Sequence, residues 1–172
     1  ERGRVTVPLV RVCTRVGRGD GEVGEAGGGR CGRVGSALCA GTPETMVSAD
    51  ETAADGELCA TDLLGQAEHG YNSPAVLLTN SEKLARETMI EIDRLLEIIP
   101  TADTARQSWE EFGEIIVCDN YDEMLAVADD IASEHVQVMT DRDDWFLEHM
   151  TCYGALFLGP RTHVANGDKV VG

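Results

Sequence analysis

The stretch Ala75-Val-Leu-Leu-Thr-Asn-Ser-Glu-Lys-Leu84 decides the fold class of this chain. Its first five residues are apolar or β-branched and predict a short buried strand. Thr79 and Glu82 have the spacing of a capping box, which predicts the start of a helix. A helical repeat of apolar residues then continues to Ile99, where Pro100 closes it. A strand followed directly by a long amphipathic helix is the repeating unit of an α/β protein.

The same unit recurs on both sides of that stretch. Strands are predicted over 45–49, 114–118, 136–140 and 155–159, and helices over 55–69, 102–112, 120–132 and 141–150. Strands that alternate with helices of this length predict an α/β fold: a Rossmann-like parallel sheet with helices on both faces. Such sheets bind ligands beyond the carboxyl ends of their strands, so we expect the polar site residues there.

Composition divides the chain near residue 40. Residues 1–40 hold ten of the 19 glycines and seven arginines against four acidic residues, whereas residues 41–172 carry seven basic against 27 acidic residues. The net charge of −17 repels phosphate backbones, which argues against nucleic acid as a partner. No apolar run long enough to span a bilayer and no export leader is present, so no membrane partner is predicted.

Two features of the chain bear on its setting. Its six cysteines include no closely spaced pair, which indicates reduced thiols in a cytoplasmic protein. The sequence begins with Glu1 rather than Met and stops at Gly172 inside a loop-like run. We therefore expect it to be a piece of a longer protein.

The first stretch with candidate chemistry is Asp62-Leu-Leu-Gly-Gln-Ala-Glu-His-Gly70. It predicts the end of a helix that Gly70 terminates. Gln66 and His69 are three residues apart, so we expect both side chains on one face of the last turn. An amide oxygen and an imidazole directed at one point would form half of a metal site. A solvated surface pair is the alternative interpretation.

Two later segments carry further candidates. Glu134 and His135 place a carboxylate beside an imidazole, two groups able to move protons near neutral pH, with a solvated loop pair as the alternative. Asp168 offers a hard oxygen ligand that would complete what Gln66 and His69 begin, with a turn-forming Asp as the alternative. Mixed oxygen and nitrogen ligands with an open position suit catalytic zinc, or manganese in its place.

Together these segments resemble the histidinol dehydrogenase family in its wide sense. Asp62–Gly70 is similar to the metal motif of that family, Ser133-Glu-His135 to its catalytic pair, and Gly167–Gly172 to the start of its Gly-Asp…Gly-Thr-Asn-His stretch. The motifs stand in the family's order and spacing over residues 41–172. Over residues 1–40 the resemblance is poor, and we expect a Gly/Arg-rich remnant of the nucleotide-binding domain there.

The resemblance implies a zinc-dependent, NAD-linked enzyme that oxidises a primary alcohol through an aldehyde to a carboxylate, as part of a larger multidomain homodimer. Zinc would be held by Gln66, His69 and Asp168. These three residues and His135 would contact the small-molecule alcohol. His135 would act as the general base, and Glu134 would activate the water that adds to the aldehyde.

The sequence also departs from the family. Asp20 stands where the family has an Asn that contacts NAD, and the chain stops before the family's downstream His ligand. A non-catalytic α/β module that binds metal at most is therefore the alternative. Residues 71–74, 136–148 and 153–161 are more similar to the branch that oxidises sulfopropanediol than to the histidinol branch. Arg161 is a candidate to bind the sulfonate, with an exposed loop Arg as the alternative.

Overall fold

The computed structural model describes residues 10–12 and 45–162. Its strands are β1 Val10–Val12, β2 Thr45–Ala49, β3 Ala75–Thr79, β4 Gly113–Val117, β5 His135–Met139 and β6 Ala155–Leu158. Its helices are α1 Gly56–Ala67, α2 Glu82–Leu95, α3 Ala102–Phe112, α4 Tyr121–Ile131 and α5 Asp143–His149. None of these helices is long and apolar enough to cross a membrane.

The described strands form one parallel sheet in the order β1-β4-β3-β2-β5-β6. From β2 the chain moves outward through β3 to β4, and it then returns to place β5 on the opposite side of β2. Strands β2 and β5 therefore flank the point where the direction of winding reverses. The predicted parallel α/β sheet is confirmed, and β1 shows that the first 40 residues contribute a strand to it.

Helices cover both faces of the sheet, as predicted. One layer, the α1 layer, is an apolar core formed with α1, α2 and α3 and includes Val47, Leu77 and Met139. The other, the α4 layer, is formed with α4 and α5 and includes Met46 and Val136. Alternate residues of each central strand belong to opposite layers because successive side chains of a strand point to opposite faces. This alternation fixes which side of the sheet each polar side chain occupies.

The ends of α2 differ from the prediction. Ser81, not Thr79, is the N-cap residue, since its side chain accepts a hydrogen bond from the backbone N–H of Leu84. The Thr79 hydroxyl oxygen instead accepts one from the N–H of Ser81 at 3.1 Å. The regular helix ends at Leu95, before Ile99. Thr79 and Ser81 both have side chains able to cap a helix. Ser81 is the cap because its extended backbone immediately precedes the first helical residue.

Candidate functional site

The candidate residues gather at the amino ends of the strands, which corrects the expectation of a site beyond their carboxyl ends. His135 is the first residue of β5, and Thr45 is the first residue of β2. The two are paired in register, and Thr45 is also paired with Ala75 at the start of β3. Gln66 lies in the last turn of α1, whose connection leads to that start. The metal motif and the catalytic pair therefore share one edge of the sheet.

Helix α1 holds Gln66 at this edge. Its N-cap, Asp55, accepts a hydrogen bond from the N–H of Leu58 at 2.8 Å. Its buried face anchors it on the sheet through Gly56, Cys59, Ala60, Leu63, Leu64 and Ala67. Gln66 is half-buried beside this face, and its side-chain Oε1 accepts a hydrogen bond from the Thr45 hydroxyl at 2.9 Å. This contact between α1 and the central strand was not predicted from the sequence.

His69 lies outside the helix, contrary to the prediction. Helix α1 ends at Ala67, and Glu68 caps it in a right-handed conformation. Gly70 does not have a positive φ, so it is not the terminating glycine. His69 sits in the following turn, exposed, with its N–H donating to the Gln66 carbonyl oxygen at 3.1 Å. The turn keeps the two residues adjacent, although His69 is no longer on the last helical turn.

The loop that follows His69 is tied down on its buried side. The Ser73 N–H donates to the Gly70 carbonyl oxygen at 3.2 Å. The Ser73 carbonyl oxygen accepts a hydrogen bond from the buried Ser108 hydroxyl of α3 at 2.8 Å. Because these bonds replace those of a regular element, they restrain the turn that carries His69.

Glu134 and His135 are held by their neighbours in β6. Helix α4 ends at Ala132, which has a left-handed conformation with φ of 55°, and the chain then turns into β5. The Glu134 carbonyl oxygen accepts a hydrogen bond from the Ala155 N–H at 2.7 Å. A Cβ on Gly154 would lie 2.6 Å from that same oxygen. Only glycine leaves room for this approach, so Gly154 is a further residue that sequence reasoning missed.

The two members of this pair differ in exposure. The Glu134 side chain is exposed, and that of His135 is half-buried. The imidazole stacks on the Phe157 ring, with 6.3 Å between ring centroids and an interplanar angle of 29°. His135 has the strand parity of Met139, which places it in the α1 layer, the same layer as Thr45 and Gln66. A water-facing carboxylate and an orientated imidazole suit proton transfer to and from a small substrate.

The metal ligands predicted from the sequence are described only in part. Within residues 10–12 and 45–162, no three His, Cys, Asp or Glu side chains are placed to hold a metal ion. Gln66 and His69 supply one oxygen and one nitrogen donor at the same edge, a set that fits zinc and needs further ligands. Asp168 and the candidate nucleotide contact Asp20 lie outside the described residues.

Arg161 does not belong to this group. It follows the carboxyl end of β6, whereas His135 is paired with Ala155 at the amino end of that strand. Residues along a strand are separated by about 3.3 Å each, so the two lie on opposite edges of the sheet. Strand polarity therefore separates Arg161 from His135, and the binding of a substrate sulfonate by Arg161 stays a prediction.

The carboxyl edge instead holds a closed polar network around Asp50. This buried residue follows β2, and its carboxylate accepts hydrogen bonds from Tyr121 Oη at 2.7 Å and from the N–H of Asp141 at 2.9 Å. Its other oxygen accepts from Thr52 and from the N–H of Ala53. The network ties together the segments after β2 and β5 at the point where the winding reverses. These hydrogen bonds give the network a structural role, because they join segments that are distant in the chain.

Titration in this network follows from the same contacts. Burial alone would raise the pKa of Asp50, but hydrogen bonds from Thr52, Asp141 and Tyr121 outweigh it and hold that pKa below its ordinary value. The pKa of Tyr121 is raised well above its ordinary value by burial and by its hydrogen bonds to the carboxylates of Asp50 and Asp141. Tyr121 therefore stays protonated and continues to donate to its partners.

Comparison with known proteins identifies similar sequences and similar structures. The histidinol dehydrogenase family model matches residues 3–172. Histidinol dehydrogenase homolog 1 of Mesorhizobium japonicum is 62% identical over 156 residues, which cover 91% of this chain and 31% of that protein. Sulfopropanediol 3-dehydrogenase of Ruegeria pomeroyi is 41% identical over 159 residues, which cover 91% of this chain and 36% of that protein.

The structural match agrees. The crystal structure of histidinol dehydrogenase from Elizabethkingia anophelis superposes with a TM-score of 0.70 and 32% sequence identity, covering 75% of this chain and 29% of that one. The chain thus spans about a third of the length of each of these three proteins.

Proposed function

The chain belongs to the histidinol dehydrogenase family, an oxidoreductase family, and from that premise we propose that it is one part of a longer zinc- and NAD-dependent dehydrogenase. The enzyme oxidises a primary alcohol to a carboxylate in two steps, through an aldehyde. One observation carries the proposal: Thr45 is hydrogen-bonded to Gln66 and paired in register with His135. The metal motif and the catalytic pair, which are far apart in the sequence, thereby share one edge of the sheet, and Gln66 and His135 lie in the same layer.

In the proposed mechanism the protein's own groups move protons and water. His135 accepts the proton of the substrate hydroxyl, and its stacking on Phe157 holds the imidazole in place while it does so. Glu134, which faces solvent, takes a proton from the water that adds to the aldehyde. The resulting hydrate is the species that the second oxidation converts to carboxylate.

The two cofactors supply the remaining chemistry. Gln66, His69 and Asp168 would hold zinc, which would supply Lewis-acid polarisation and orientation of the substrate oxygen. Bound NAD would supply the oxidising capacity, two equivalents for each alcohol, with one water consumed. We propose Asp20 as a nucleotide contact and residues 1–40 as the remnant of a nucleotide-binding domain, with residues 41–172 as the site-bearing domain.

Zinc content tests the metal assignment directly. We expect the complete protein that carries this chain to hold one zinc per subunit by metal analysis, and Gln66→Ala and His69→Ala to lose it. Gln107→Ala and His149→Ala are matched controls, because these residues have the same side chains and are exposed on α3 and α5. Unchanged zinc content in both Gln66→Ala and His69→Ala would exclude the proposal.

The catalytic roles are separable by stoichiometry. We expect His135→Asn to lower kcat for alcohol oxidation by about 10²- to 10⁴-fold with zinc retained, the usual effect of removing a general base. Glu134→Gln should spare the first oxidation and slow the second, so that aldehyde accumulates and NADH formed per alcohol falls from two toward one. If Glu134→Gln still yields two NADH per alcohol at the normal rate, Glu134 does not activate the water.

The substrate is proposed to be sulfopropanediol rather than histidinol. The 41% identity to sulfopropanediol 3-dehydrogenase supports this choice, together with the local segments that resemble that branch. Arg161 lies at the opposite edge of the sheet from His135, so the structure gives no support to this arginine as the group that binds the sulfonate. NAD reduction measured with both alcohols decides between them, and a higher kcat/KM for histidinol would reverse the choice.

A second candidate function is a non-catalytic α/β module that binds metal at most. It is favoured for the isolated 172 residues, because they span only about a third of the length of the relatives they match. We expect no measurable NAD reduction by the isolated chain and activity in the complete protein.

We further propose a homodimer in the cytoplasm.

A further inference from the structure

Thr45, the first residue of the central strand β2, makes a side-chain hydrogen bond to Gln66 of the metal motif. Thr45 is buried, with 4% of its surface exposed, and its hydroxyl donates to Gln66 Oε1 at 2.9 Å. A buried hydroxyl needs a partner, and most find one in the backbone of their own element. Thr45 finds its partner instead on a helix residue whose side chain has three rotatable bonds and is half-buried.

The strand position of Thr45 also relates it to the catalytic pair. Its Cα partners across the sheet are Ala75 at the start of β3 and His135 at the start of β5. Thr45 has the parity of Val47 and Ala49, both in the α1 layer, and His135 has the parity of Met139 in the same layer. Thr45 is therefore hydrogen-bonded to Gln66 and paired in register with His135, and it lies in the same layer as both residues.

From this arrangement we propose that Thr45 is a positioning residue, which holds the Gln66 amide in the orientation required for metal binding beside His135. The inference rests on the proposed function. A glutamine amide presents either its oxygen or its nitrogen to a site, depending on one torsion, and only the oxygen is a ligand. The Thr45 hydroxyl donates to the oxygen, and this bond restrains the torsions of the Gln66 side chain with its oxygen at this edge of the sheet. An amide oxygen has two lone pairs, so accepting this bond is compatible with coordinating a cation.

The expected size of the effect follows from comparable residues in other metal sites. Groups that orientate a ligand through a hydrogen bond typically change metal affinity by 10- to 100-fold when they are removed. If the role of Thr45 were purely structural, removing its hydroxyl would lower the stability of the protein and leave its metal affinity unchanged. Metal affinity and stability of the metal-free protein must therefore be measured on the same variants.

The test uses zinc alone as the ligand and the complete protein that carries this chain. Thr45→Val keeps the shape and removes the hydroxyl, whereas Thr45→Ser keeps the hydroxyl and removes a methyl group. By competition with a chromophoric chelator, we expect the zinc Kd to rise 10- to 100-fold in Thr45→Val and to stay within about threefold in Thr45→Ser. We expect the Tm of the metal-free proteins to differ by less than about 4 °C. Thr45→Ala replaces Thr45→Val if the latter does not fold.

The outcomes separate this inference from the proposed function. If Gln66→Ala loses zinc but Thr45→Val binds it like the wild type, the positioning role is refuted and the metal assignment stands. If Gln66→Ala retains zinc, the proposed function itself fails. Equal loss of zinc affinity in Thr45→Val and Thr45→Ser would also overturn the inference, because the methyl group and not the hydroxyl would then be responsible. Selective loss in Thr45→Val, with rescue by Thr45→Ser, supports it.

Discussion

Replacing Asp50 by Asn is the sharpest test of how the two halves of the sheet are held together. The Asp50 carboxylate accepts hydrogen bonds from both Tyr121 Oη and the Asp141 N–H through one oxygen, Oδ2. In Asn one of the two terminal atoms becomes an NH₂ group, which cannot accept. If the amide oxygen keeps its bonds to Thr52 and Ala53, the NH₂ group faces the Asp141 N–H, which can only donate, whereas the Tyr121 hydroxyl can turn to donate to Asp141 and accept from the NH₂ group. The substitution therefore removes two charge-assisted bonds and adds a donor–donor contact.

The magnitude follows from those two bonds. Hydrogen bonds to charged groups contribute about 1.5–3 kcal/mol each, and solvent at the partly exposed Tyr121 and Asp141 recovers part of the loss. We expect the free energy of unfolding to fall by about 3 kcal/mol at pH 7. For a protein of this size that corresponds to a Tm lower by about 6–12 °C. Urea unfolding followed by the fluorescence of Trp109 and Trp145 measures the change.

The pH dependence supplies an independent check of the sign. The pKa of Asp50 is lower in the folded protein than in the unfolded chain, so its carboxylate stabilises the fold above the unfolded pKa of about 4. This stabilisation is lost as the pH falls through the folded pKa. Because Asn does not titrate, the stability difference between wild type and Asp50→Asn should narrow as the pH is lowered toward 3.

Two variants control this experiment. Asp141→Asn alters an exposed carboxylate but keeps its N–H bond to Asp50, so we expect a loss below about 1 kcal/mol. Tyr121→Phe removes one of the two bonds to Oδ2, and we expect a loss of about 1–2 kcal/mol. A loss below about 0.5 kcal/mol for Asp50→Asn at pH 7, or a gap that does not narrow in acid, would refute the reasoning.

Two further predictions concern the catalytic pair and a buried thiol. In Gly154→Ala the new Cβ would lie 2.6 Å from the Glu134 carbonyl oxygen, so this backbone must shift. We expect kcat to fall by about 10- to 100-fold and stability by about 1–3 kcal/mol, whereas Gly65→Ala, which meets no atom within 4 Å, should stabilise the protein by about 0.5–1 kcal/mol. Full activity in Gly154→Ala, measured by NAD reduction, would contradict the proposed positioning of Glu134. Burial, reinforced by the charge of Asp62, raises the pKa of Cys59 to about 12, so we expect iodoacetamide at pH 8 to modify Cys152 but not Cys59 until the protein unfolds. Peptide mass spectrometry after timed labelling measures both rates, and equal rates in the native protein would show this account of Cys59 to be wrong.

The sequence alone predicted each strand and helix that the structure shows between residues 45 and 162, with small differences at most of their ends. The strands at Thr45–Ala49 and Ala75–Thr79 and the helix at Ala102–Phe112 are observed at their predicted positions. These features depend on local periodicity and on hydrogen bonds between near neighbours, which a sequence displays directly. The residues that carry chemistry, Gln66, His69, Glu134 and His135, were also recognisable from residue type and spacing.

Prediction from the local sequence was wrong at helix ends where two residues able to start or end the helix lie close together. Thr79 and Ser81 both have hydroxyls able to cap a helix, and Gly70 and Glu68 both stand near the end of α1. The choice between neighbours depends on backbone geometry that the rest of the fold imposes. The same limit applies to Gly154, whose need for glycine arises from the Glu134 carbonyl of another segment.

Only the tertiary structure decided which edge of the sheet holds the site and what lies beside it. A sequence shows that β5 follows β4, but not that β5 pairs with β2 and places His135 beside Thr45. That pairing depends on packing between segments distant in the chain, as does the hydrogen bond from Thr45 to Gln66. Strand polarity then separates Arg161 from His135 by the length of β6. Residue types specify the available chemistry, and the order of parallel strands determines which of those residues meet.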